Sequence, residues 1–167
     1  MSTCFFIGHR EVPETLMGEL TAEVKRHIIE YGVTDFVVGR YGRFDALAAK
    51  CVKASKKFHP EVTLTLLLPY HPYDRPTPTS PGFDGTFYPP GMETVPKRAA
   101  IVRANRYMVE HSDYLIAYVR CFIFSPLLFY SILQPFSLLG VILNQRFLYF
   151  PLSHRIISII SNFFFVL

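Results

Sequence analysis

The run Cys4-Phe5-Phe6-Ile7-Gly8-His9-Arg10 decides the fold. Four apolar residues follow one another without alternation and stop at a glycine. That is the pattern of a short strand buried on both faces, as a parallel sheet requires. Downstream, Leu16, Leu20, Val24 and Ile28 recur every four residues, with Glu and Lys filling the other face, so this segment predicts an amphipathic helix. Pro13 suits its first turn and Gly32 its stop.

The same phrase then repeats. Asp35-Phe36-Val37-Val38 predicts a second strand ending at Gly39, and Ala46 to Lys53 a second helix, with Asp45 placed to cap it. Val62 to Leu68 predicts a third strand. Residues 69–96 are rich in Pro, Gly, Thr and Tyr and read as one long loop with short extended pieces, of the kind that serves function or closes over a ligand. A helix is expected from about Val95 to His111, with Ile101, Val102, Ala104, Met108 and Val109 on one face, and a fourth strand over Tyr114 to Val119. The alternation of strands and helices predicts an α/β domain over residues 1–120, a Rossmann-like parallel sheet with flanking helices.

The C-terminal part is atypical. All 13 acidic residues precede residue 121, and only Arg146 and Arg155 of the 17 basic ones follow it. No charge occurs between Cys121 and Gln145, a run broken by Pro126 and Pro135. Residues 121–167 therefore form a hydrophobic tail with three competing readings. It is a membrane hairpin or anchor, since about 20 apolar residues span a bilayer. Alternatively it is a buried C-terminal layer of the domain, or a segment foreign to this fold, such as a shifted reading frame. The first reading makes the membrane a partner through 121–167 and the protein membrane-associated; otherwise the expectation is cytoplasmic.

Charge over the first 120 residues is nearly balanced, which argues against a nucleic-acid partner, since nucleic-acid binders carry a dense basic stripe. Cys4, Cys51 and Cys121 are an odd number and too far apart for a metal knuckle, so they read as reduced thiols. Cys4 to Ile7 is too short for a secretory leader. No His/Glu pair has zinc-helix spacing, and no serine sits in a nucleophile elbow. The reading names no metal, no cofactor and no catalytic residue.

In an open parallel sheet, ligands bind beyond the C-terminal ends of the strands. Gly8, His9 and Arg10 follow the first strand; Gly39, Gly42, Phe44 and Asp45 follow the second. Glycines there admit a ligand close to backbone, and arginines Arg10, Arg40 and Arg43 favour an anion. Asp45 would repel a phosphate on the same helix start, so it is expected as a cap or as an acceptor for ligand hydroxyls such as those of a ribose. Asn105 falls within the apolar face of the later helix, and Arg98 lies two turns earlier, at the ligand edge.

Three motifs in order, residues 4–10, 37–45 and 98–117, make the chain resemble the SLOG superfamily, and within it the YpsA-like (DUF1273) family, over about residues 3 to 119. The resemblance implies a Rossmann-like fold related to the DprA and LOG proteins, and binding of nucleotides, nucleotide-derived ligands or nucleic acid. Its motifs carry binding roles to Gly8, Arg10, Gly39, Gly42, Asp45, Arg98 and Asn105. Arg40 stands where the family has a second glycine, and the tail holds neither the family's second Gly-Gly turn nor the Glu of its nucleoside-monophosphate hydrolases. The expected function is thus binding or sensing of a nucleotide-like small molecule. The alternatives are an N-glycosidic hydrolase acting on nucleoside monophosphates, with Asp45 as its carboxylate, and a single-stranded DNA-binding module.

Overall fold

The computed structural model describes residues 2–76 and 81–118 with their side chains, and the backbone alone of residues 119, 139–143 and 146–148. Strand β1 (Ser2–Gly8) is followed by helix α1 (Leu16–Ile29), β2 (Val33–Val38), α2 (Arg43–Ser55), β3 (Thr63–Leu67) and β4 (Gly85–Phe87). A 3-10 turn (Lys97–Ala99), α3 (Ala100–His111) and β5 (Tyr114–Val119) come next, then β6 (Leu139–Leu143) and β7 (Arg146–Leu148).

These strands form one sheet in the order β4-β3-β2-β1-β5-β6-β7. β1 lies at its centre, with Cys4 opposite both Phe36 and Tyr114. Every pairing from β4 to β6 is parallel, and β7 runs antiparallel to β6. The α/β, Rossmann-like arrangement expected from the sequence is the arrangement observed.

Successive side chains of a strand point to opposite faces, and two separate cores result. Cys4, Phe6, Phe36, Val38, Leu64 and Ile116 face α1 and α2, whereas Phe5, Val37, Leu67, Leu115 and Ala117 face α3. In α1 the predicted line Leu16, Leu20, Val24 and Ile28 is buried. The chain steps outward from β1 to β4 and then returns through α3 to β5 on the far side of β1. Keeping one crossover hand on both legs puts the helices on opposite faces. The strand order therefore reverses between β1 and β5.

Local details differ from the expectations. Helix α1 starts at Leu16, whose N–H donates to Pro13 O at 3.2 Å, so Pro13 belongs to the preceding turn. Helix α2 starts two residues before the expected cap, with Gly42 as N-cap and Asp45 as third helical residue. A carboxylate there reaches back to the loop instead of forward into the helix. The buried line of α3 is Ala100, Ala104 and Met108, with Val109 beside it; Val102 is exposed and Asn105 half-buried at the flank. The long loop contributes β4, an edge strand only three residues long. Residues 139–143 of the tail pair with β5, Gly140 opposite Ile116. The expected membrane run over 121–145 otherwise lies outside the described residues. Among those described, no helix is long and apolar enough to cross a membrane.

Candidate functional site

All parallel strands end on the same rim, where the exits of β1 and β2 are neighbours. Gly42 brings them into contact. A Cβ added there would lie 3.2 Å from Arg10 Cα, so a glycine lets the two backbones meet. Arg43 N–H then donates to Arg10 O at 2.8 Å, tying the start of α2 to the β1 exit. Arg10 and Arg40 point their charges outward and are exposed. Among the described residues neither makes an ion pair, whereas Arg43 is engaged by Glu14 at 2.6 Å. An anion arriving at this rim would therefore meet Arg10 and Arg40 before Arg43.

Asp45 closes the β2 exit. Its Oδ2 accepts the N–H groups of Tyr41 at 2.9 Å and Gly42 at 3.2 Å, and its carboxylate rests against Gly39. Burial pushes its pKa up to about 6, against the pull of those two N–H bonds. This carboxyl is mostly charged at neutral pH and gains its proton in mild acid, and one of its oxygens is committed to the loop.

Phe44 is wholly buried beneath Gly8, stacked on Tyr118 with ring centroids 6.1 Å apart. It supports the rim from below and offers no surface to a ligand. His9 is half-buried and stands edge-on to Tyr118 at 6.3 Å. Since Gly8 pairs with Tyr118 across β1 and β5, His9 lies at the point where the strand order reverses. That is where open α/β sheets form their ligand crevice.

The structure thus joins Gly8, His9, Arg10, Gly39, Gly42, Phe44 and Asp45 into one patch. Arg98 and Asn105 are not in it. Arg98 is exposed in the 3-10 turn before α3, on the opposite face of the sheet. Asn105 is five residues into α3, roughly 8 Å along its axis from Ala100 at about 1.5 Å per residue. The two groups are linked along the rim: Tyr41 meets Tyr70 edge-on at 6.2 Å, and Tyr70 Oη donates to Lys97 O at 3.4 Å.

Beside that link is a cleft of about 270 Å³ that sequence reasoning missed. Tyr70, His71, Asp74, Tyr88, Glu93 and Lys97 line it. The aromatic-rich run Pro69-Tyr70-His71-Pro72-Tyr73-Asp74-Arg75 was the available signal, obscured because its partners are some 15 to 25 residues away in the same loop. No family model matches this chain, and a search of curated proteins finds no match.

Proposed function

We propose that the domain binds a small anionic, sugar-bearing ligand of the nucleotide class on the rim formed by the β1 and β2 exits. The observation that carries this reading is the packing of those exits through Gly42 and Arg10, which brings the exposed Arg10 and Arg40 to the same rim as the half-buried Asp45 carboxylate. Arginine suits the anionic end through paired N–H donors. The free oxygen capacity of Asp45 suits ribose hydroxyls. Buried thiols at Cys4 and Cys51 fit a cytoplasmic protein.

Isothermal titration with nucleoside mono-, di- and triphosphates tests the reading. Saturable binding is expected for wild type, with affinity at least about tenfold lower in Arg10→Ala/Arg40→Ala. If folded wild type binds none of them, the reading is wrong.

One observation favours hydrolysis as a second reading: a carboxyl near pKa 6 is placed for general acid or base work. Release of free base from nucleoside monophosphates, abolished by Asp45→Asn, would establish it. No release at any pH from 5 to 8 would exclude it.

A further inference from the structure

We propose that the cleft at the β3 and β4 exits holds a planar heteroaromatic ring carrying amine donors, the base portion of the ligand whose anionic end lies on the arginine loops. This assignment rests on the nucleotide-class reading above.

Its walls are aromatic. Tyr70 and Tyr88 line it with His71, whose ring is T-shaped to Tyr88 at 5.3 Å and stacked with Tyr73 at 5.4 Å. Met92 and Ala100, both buried, form an apolar floor. Flat walls over an apolar floor suit a ring. The volume, just under the roughly 300 Å³ at which pockets for drug-sized molecules begin, accommodates one ring system.

The polar groups select the kind of ring. Asp74 and Glu93, both exposed, are in the lining with Lys97, whose Nζ is 3.8 Å from Asp74, and the Arg75 guanidinium lies 4.9 Å over the Tyr70 ring. Tyr88's hydroxyl is held above its ordinary pKa, first by lost hydration and then by the charges of Glu93 and Asp74. A ring that donates N–H bonds would find charged acceptors, which make stronger bonds than neutral ones. The cleft shares the rim with the arginine loops, and the contact of Tyr41 with Tyr70 joins them, since Tyr41 also donates its N–H to Asp45.

Calorimetry on the full chain tests the assignment with AMP against IMP and CMP against UMP, pairs that differ by amine against carbonyl. Adenosine, cytidine and ribose 5-phosphate complete the panel. Wild type should prefer the amine partner at least about tenfold in one pair, and Asp74→Asn/Glu93→Gln should erase that preference while ribose 5-phosphate affinity stays unchanged. Near-ultraviolet circular dichroism confirms that the variant is folded. No amine preference in wild type, or a preference that survives the double substitution, overturns the cleft assignment and leaves the arginine-loop reading standing. Binding of adenosine or cytidine that needs Asp74 and Glu93, with no gain from a phosphate, overturns the arginine-loop reading instead and supports the ring site. Absence of all binding overturns both.

Discussion

The Phe44 ring fills the space that a side chain on Gly8 would need: a Cβ built on Gly8 would lie 2.5 Å from Phe44 Cγ and 2.6 Å from its Cδ1. The ring cannot swing away, because it is wholly buried between Phe6 and Tyr118. The glycine that reads as a ligand-facing turn is therefore demanded from below, by the core.

Gly8→Ala should accordingly destabilise the domain by about 1–3 kcal/mol, the usual cost of overfilling a packed core. Phe44→Leu should cost stability alone, yet recover part of the loss when combined with Gly8→Ala. Urea unfolding of the four proteins measures the coupling. Strict additivity would show that the two residues do not share space.

Asp45 predicts an unusual pH dependence. Its folded-state pKa, about 6, lies above the ordinary 3.8, so the folded protein holds the proton more tightly. Its contribution is fully present below about pH 4 and is lost as pH rises through 6. In Asp45→Asn the amide oxygen can keep both loop N–H bonds without the buried charge. Relative to wild type, the variant should gain on the order of 2 kcal/mol between pH 4.5 and 7.5, at about 1.4 kcal/mol per pKa unit. A stability difference that does not change with pH would refute the burial of this charge.

His27 predicts the opposite slope. Its ring is 2 % exposed, and Nδ1 lies 2.9 Å from Glu23 O, so the neutral Nδ1–H tautomer donates to that carbonyl. Burial lowers its pKa from 6.5, and that outweighs the backbone bond to Glu23, which raises it. The unfolded chain then takes up a proton first as pH falls. Stability should drop as pH falls below 6.5 toward the lowered folded value and should be fully present above 6.5. In wild type at pH 6, carbon-detected NMR should show a neutral imidazole at His27. A protonated ring there would mean that Glu23, 3.9 Å away, sets its charge instead.

Asp84 fastens the short edge strand. Its Oδ2 accepts Leu64 N–H at 2.7 Å, and Lys56 Nζ bonds the same carboxylate. Asp84→Ala should speed amide exchange of Leu64 and of the β3–β4 ladder about tenfold, for roughly 1–1.5 kcal/mol lost locally. Equal acceleration throughout the sheet would mean that the loss is global and not confined to the edge.

Much of this molecule can be read residue by residue along the chain. Apolar runs at Cys4 to Ile7 and Phe36 to Val38, and the four-residue beat from Leu16 to Ile28, depend on near neighbours and on which face meets solvent, so strands, helices and the α/β class are legible in the letters. Tertiary packing decided the rest. It made Asp45 the third residue of a capping box instead of the N-cap, put Phe44 in the core, set Arg98 and Asn105 on the far face from His9, and formed a cleft between Tyr70 and Glu93. Each of those outcomes depends on groups far apart in the chain coming within a few ångströms, and local periodicity carries no information about distances across a sheet.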